Sequence, residues 1–236
     1  MRSKNVYRDM YEVHDTSLAQ RLTLAAILGV CVAASWWLLF GGGLSATGAW
    51  FKCTWKPGDP VRRACLALAL SIYFIRVLFT EFVFLKRGVS WTEVFTIALW
   101  VWVISMLIAI LGGTNPTRPG VAEGAGVILF AAGSWMNSYA EYARNEWKKL
   151  PENHGRLYTL GLFRYSRHPN YLGDLISFSG LCIISGAWVT AVIPALMLAG
   201  FVFGSVPMLD AHLLKKYGAA FDDYAKQTAK LIPFVY

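Results

Sequence analysis

The chain is 236 residues long, 56% apolar and 15% aromatic, and only 15% of its residues are charged, against roughly 25% in an ordinary soluble domain. Lys and Arg number 22 against 14 acids, a formal charge of +8. Such a charge deficit excludes a water-soluble globule, and beside long apolar runs the basic excess reports cytoplasmic loops and anionic lipid rather than nucleic acid.

Leu22 to Phe40 is uncharged over 19 positions. At about 1.5 Å per residue this matches a hydrocarbon core of about 30 Å, so a first span is expected at 22–40. The run starts late and is longer than the ~7–15-residue apolar region of a secretory signal, which predicts that it stays in the mature protein. Residues 41–61 hold Gly41-Gly42-Gly43 and Lys56-Pro57-Gly58-Asp59-Pro60 and read as an irregular loop. No strand precedes the glycines, so they do not read as a phosphate-binding loop.

A second span is expected at 64–85, where Tyr73, Arg76 and Thr80 follow i, i+3, i+7 and share a face continuing through Phe84 to Arg87. Glu81 lies about 80° round from Tyr73. Ionisable groups in a span are functional hypotheses. Either Arg76 and Glu81 pair with other helices for assembly, or this face lines a cavity into which the Tyr73 hydroxyl donates. Val94 to Gly112, again uncharged over 19 positions, gives a third span.

In the fourth, at 122–143, Asn137, Glu141, Arg144 and Lys148 recur at i, i+4, i+7 and i+11 and stack along one side of a helix leaving the membrane. Amide, carboxylate and cations together suit a ligand with hydroxyls, amides and phosphates. The alternative is a solvated helix end with snorkelling cations. Next, the fourteen residues from Gly161 to Asp174 gather Arg164, Arg167, His168, Asn170, Tyr171 and Asp174 around Pro169 and Gly173. Arginines bind phosphate, and Asn170 and Asp174, four apart on a helix, can read an amide or a ribose. Leu175 to Leu209 carries no charge over 35 residues, which predicts two short or tilted spans at 172–185 and 188–208. Asp210 through Tyr224, with His212 and Tyr217, reads as an interfacial helix.

With the N-terminus in the cytoplasm, sixteen Lys and Arg fall on that side, five on the other, and Arg76 within a span. Both termini are therefore expected inside, in a bacterial inner membrane or the endoplasmic reticulum. Cys31, Cys65 and Cys182 lie in apolar runs and Cys53 in a loop; no disulfide framework or metal site follows.

The string RHPNYLGDLI, Arg167 to Ile176, resembles the signature of the membrane sterol reductases. The half from Asn137 to the closing LIPFVY is similar to the steroid 5-alpha-reductase family. A looser form of the string also occurs in isoprenylcysteine carboxyl methyltransferases, so kinship alone does not fix the chemistry. The resemblance implies NADPH as cofactor, with Asn137, Glu141, Arg144, Lys148, Arg156, Arg164, Arg167, His168, Asn170, Tyr171, Asp174, His212 and Tyr217 as its candidate contacts. Tyr73 matches the tyrosine that bonds the steroid 3-keto oxygen in that family. The family's Gln-Glu pair on the preceding helix has no counterpart in Leu22 to Phe40; Glu81 and Glu12 are the candidate substitutes for the missing acid, a substitution that spacing does not show.

The expected protein is thus an all-α, polytopic helical bundle of about six, six to seven, transmembrane helices with a cytoplasm-facing cofactor cavity. It forms a single domain, 1–120 on the substrate side and 121–236 binding the cofactor, and works as a monomer without metal. Its expected reaction is NADPH-dependent reduction of the carbon-carbon double bond of a 3-oxo-delta-4 steroid or similar apolar lipid, with Tyr73 and Glu81 catalytic. The alternatives are an S-adenosylmethionine-dependent lipid or prenylcysteine methyltransferase and a non-catalytic sterol-binding protein.

Overall fold

The computed structural model describes residues 17–236. Glu12 lies outside the described residues. Among the described residues nine α-helices follow in order: α1 Leu18–Phe40, α2 Gly43–Trp50, α3 Pro60–Phe79, α4 Trp91–Gly113, α5 Val121–Lys149, α6 Pro169–Ser185, α7 Val192–Gly200, α8 Val206–Tyr217 and α9 Ala219–Gln227. Among the described residues there is no strand, only an isolated parallel bridge between Ser166 and Ala229. Four stretches of the described residues are long and apolar enough to cross a membrane: Leu18–Phe40, Pro60–Phe84, Trp91–Gly113 and Trp188–Tyr217. The protein is an integral membrane protein. The expected spans at 122–143 and 172–185 are helical, but length and composition do not support a count of six. α5 carries the polar stripe, and 17-residue α6 rises only about 25 Å.

Three local expectations need correction. The 41–61 stretch contains α2, because Gly42 reverses the chain at φ +82°, a conformation open to glycine, and lets Leu44 bury completely. The face from Tyr73 does not run on to Arg87. At Thr80–Phe84 the helix widens to π geometry and ends, with Leu85 extended, so Arg87 lies beyond it. Lastly, Asp210–Tyr224 is not one helix but parts of α8 and α9, broken at Gly218 with φ +55°.

The described chain forms two compact units. In the first, up to Val127 with Gly180–Ala191, α1 packs along α4 and α3 touches both. Leu24 and Leu28 meet Val94, Ala98 and Val101, with Tyr73, Phe74 and Val77 against that core. The Asp59 carboxylate accepts from the backbone of Val61 and Arg62 and caps α3 ahead of Pro60. Arg62, fully buried, donates to the carbonyls of Ile184 and Thr117 and pairs with Glu123 at 2.9 Å. Arg21 of α1 closes the other end of the span by donating to the carbonyls of Glu81, Leu85 and Arg87, which satisfies a helix-end carbonyl and ties down the chain that follows.

The second unit comprises Ile128–Ser179 and Val192–Tyr236. A second π segment, Phe201–Ser205, stands just before Pro207. Proline has no N–H and its ring crowds the carbonyl four residues back, which local widening relieves.

Candidate functional site

The second unit is built on a close contact of two helices. A Cβ on Gly173 of α6 would sit 2.7 Å from the backbone oxygen of Gly133 and 2.7 Å from the backbone nitrogen of Asn137 on α5. Real side chains do not come so near, so only glycine lets these backbones touch. Ser134 and Ser177 hydroxyls meet beside them at 3.3 Å. The contact sets Asn137 and Glu141 of α5 against the first turn of α6. Asn137 Nδ2 donates to the Asn170 carbonyl at 3.0 Å, and Asn170 Nδ2 donates to Glu141 Oε1 at 3.0 Å. The other Glu141 oxygen accepts from Arg144. Asn137 and Glu141 are buried, while Arg144 is half-exposed. The expected stripe along α5 thus exists, since α5 is one helix from Val121 to Lys149.

Beside the stripe, Tyr158 packs between Trp147 and Phe163 with ring centroids 5.3 Å from each. These rings, with buried Ala140, pin the segment after α5 to that helix. Arg156 and Arg164 project from this segment, exposed and in no ion pair among the described residues. Lys148 reaches the Tyr217 hydroxyl at 3.2 Å, linking α5 to α8. Tyr217 and His212 lie on α8, both half-buried.

Arg167 and His168 face inward. Arg167 Nη2 pairs with Asp210 Oδ2 at 2.6 Å, and His168 Nε2 lies 2.9 Å from Asp210 Oδ1. Arg167 Nη1 donates to the Ala225 carbonyl, and the Ser166 hydroxyl to that of Leu231. His168 stacks on Tyr171 at 5.4 Å, and Tyr171 on Phe201 at 4.8 Å. Tyr224 donates to the Phe163 carbonyl. Burial raises the pKa of its phenol, moving its loss of the proton still further above neutral pH. Asp174, on the second turn of α6, is half-buried.

Sequence reasoning missed Asp210 and Ser166. Asp210 carried one signal, as the first charge after 35 uncharged residues.

Tyr73 and Glu81 belong to the first unit. Tyr73 packs on the α1–α4 core, with the Arg76 guanidinium 4.9 Å from its ring centroid. Glu81 is buried in the π segment.

A family model described as a protein of unknown function (DUF1295) matches residues 79–228. The chain belongs to the DUF1295 family. The matched stretch holds Glu81 and every candidate residue from Asn137 to Tyr217, while Tyr73 precedes it. The likeness to the steroid 5-alpha-reductases also stands, since this DUF1295 protein is 32% identical over 111 residues to 3-oxo-5-alpha-steroid 4-dehydrogenase 2 of Homo sapiens, covering 47% of this chain and 42% of that one. It is 37% identical over 106 residues to Probable O-methyltransferase ustE of Ustilaginoidea virens, covering 44% and 37%. To Protein-S-isoprenylcysteine O-methyltransferase A of Arabidopsis thaliana it is 33% identical over 84 residues, covering 36% and 43%. The chain thus spans under half the length of these curated relatives.

Proposed function

We propose that this DUF1295 protein is an NADPH-dependent reductase of a conjugated enone in an apolar lipid, of the 3-oxo-delta-4 steroid class. One observation carries the reading: an amide–carboxylate network, with Asn137 and Glu141 buried and Asn170 half-buried between them, adjoins a segment whose Arg156 and Arg164 are exposed and in no ion pair among the described residues. Amides and a carboxylate suit the hydroxyls and carboxamide of a dinucleotide, and uncommitted guanidinium groups suit its phosphates. The donor set therefore fits NADPH better than a cofactor without phosphate.

Bound NADPH would supply the hydride for the β carbon of the enone and leave as NADP⁺, with a proton from water completing the reduction at the α carbon. The chain's part is to hold and polarise. Arg156, Arg164, Arg144 and Lys148 would take the phosphates, and Asn170, Glu141, Asn137 and Asp174 the ribose and carboxamide groups. Tyr171, His212 and Tyr217 complete the set, while Arg167 and His168 brace it from inside. Tyr73 would donate a hydrogen bond to the substrate carbonyl. That bond strengthens as the oxygen gains negative charge, so it lowers the barrier more than it tightens substrate binding. Glu81, a buried carboxylate on the same span, would stand in for the acid absent from α1. We further place both termini in the cytoplasm, from the distribution of Lys and Arg.

A second reading, methyl transfer from S-adenosylmethionine, draws on the two methyltransferase relatives. Calorimetry of detergent-purified protein with each cofactor separates the two. The reductase reading expects NADPH to bind and the reduced-nicotinamide absorbance to fall when a 3-oxo-delta-4 steroid is added. S-adenosylmethionine binding without NADPH binding overturns it.

A further inference from the structure

Asp210 lies near the end of the apolar stretch Trp188–Tyr217, where an ionised group is costly unless paired. Its two oxygens take different partners, Arg167 at 2.6 Å and His168 at 2.9 Å. A carboxylate present only to neutralise Arg167 would put both oxygens on the guanidinium fork, the stronger arrangement. Here the second oxygen is used to set the rotation of a fully buried imidazole ring. A carboxylate acceptor also favours the tautomer with hydrogen on Nε2.

From His168 the constraint passes on by two routes. Through the rings it reaches Tyr171, stacked at an interplanar angle of 13°, and Phe201, which is within 8° of parallel to Tyr171. Through the backbone it reaches Pro169 and Asn170, with the His168 carbonyl accepting from Leu172 at the start of α6. On the opposite side Arg167 is tied to the C-terminal segment by Ala225, Thr228 and Ala229. The turn is thus gripped at two consecutive side chains, and the next side chain to hydrogen-bond is Asn170, which donates to Glu141.

We infer that Asp210 is a positioning residue of the nucleotide site, acting through Arg167 and His168 to hold Asn170 and Tyr171 toward the ligand. The inference rests on the nucleotide reading above. It gives Asp210 no contact with the ligand, and so requires that its removal and the removal of Asn170 damage the same interaction.

A double-mutant cycle on the full-length, detergent-purified protein tests this. Asp210→Asn and Asn170→Ala, alone and together, are titrated calorimetrically with NADPH and with S-adenosylmethionine. Each single change is expected to weaken NADPH binding about tenfold, and the pair no more than about twofold beyond the weaker single variant, because coupled residues are not additive. A loss of about a hundredfold in the double variant is additivity and overturns the inference while leaving the NADPH reading intact. If the wild-type protein binds S-adenosylmethionine instead, the same cycle is read with that cofactor; non-additivity then keeps Asp210 in its role and removes the reductase reading. Binding of neither cofactor overturns both. Should Asp210→Asn not survive purification, His168→Gln takes its place in the cycle with the same criterion.

Discussion

Both units bury arginine, but to different ends. In the first, Arg62 has no exposed surface and each of its three guanidinium nitrogens donates within the protein, to two carbonyls and to Glu123. A Cβ on Gly186, which sits at φ +64°, would come within 2.3 Å of it, so the backbone is shaped around this side chain. In the second unit, Arg167 is also buried, yet Arg156 and Arg164 lie exposed on the segment that leads to it. Cations locked in a fold contribute to assembly, and cations held out on a pinned segment are available for a ligand. Structural charge and binding charge are thus carried by different arginines, and substitutions tell them apart.

The largest effect is expected at Arg62. Arg62→Ala leaves the buried Ile184 carbonyl and that of Thr117 without their donor and takes the arginine from half-buried Glu123, together costing about 3–5 kcal/mol. The detergent-solubilised protein should melt several degrees lower, while the fraction still folded binds NADPH as the wild type does. A selective loss of NADPH affinity without a lower melting temperature would end the distinction between the two classes of arginine.

Next in size is Tyr73→Phe, which removes one hydroxyl from the first unit. Losing a donor to a developing oxyanion costs about 10²–10³ in turnover, with NADPH affinity unchanged. Stopped-flow measurement of steroid reduction beside calorimetry checks both halves, and equal losses in the two would remove Tyr73 from its role.

Gly173→Ala strikes the helix contact of the second unit. The new methyl group meets backbone atoms of Gly133 and Asn137 at 2.7 Å, and neither helix yields as a flexible side chain would. Overpacking of this kind costs about 1–3 kcal/mol. Because the same contact seats Asn170 against Glu141, NADPH affinity and melting temperature should fall together, unlike in Arg62→Ala.

The parts that sequence made legible are those with local periodicity. The α5 stripe follows from spacing, because one helix runs unbroken through Asn137, Glu141, Arg144 and Lys148. The RHPNY turn was legible as a dense polar string beside an apolar run. What escaped depends on partners distant in the chain. Asp210 meets His168 across 42 positions, and nothing in its neighbours announces that pairing. Arg167 reads as a phosphate ligand by residue type, and only the tertiary contacts show its two terminal nitrogens already taken. Likewise the π turn at Thr80–Phe84 breaks a face that ideal 3.6-residue periodicity carries on to Arg87.

The smallest effect is expected at Arg164, where the argument for binding charge is most exposed. The side chain is solvated, so its contact with a phosphate is weakened by water and by salt, and the gain from a charged hydrogen bond must be discounted accordingly. Arg164→Ala should therefore weaken NADPH binding only about threefold to tenfold, and the difference from the wild type should shrink as salt rises and the Debye length falls below ~10 Å. Arg164→Lys keeps the charge but loses the planar fork, and should fall between the two. S-adenosylmethionine has no phosphate, so a salt-independent loss, or an equal loss with that ligand, would mean that Arg164 holds the segment and not the nucleotide.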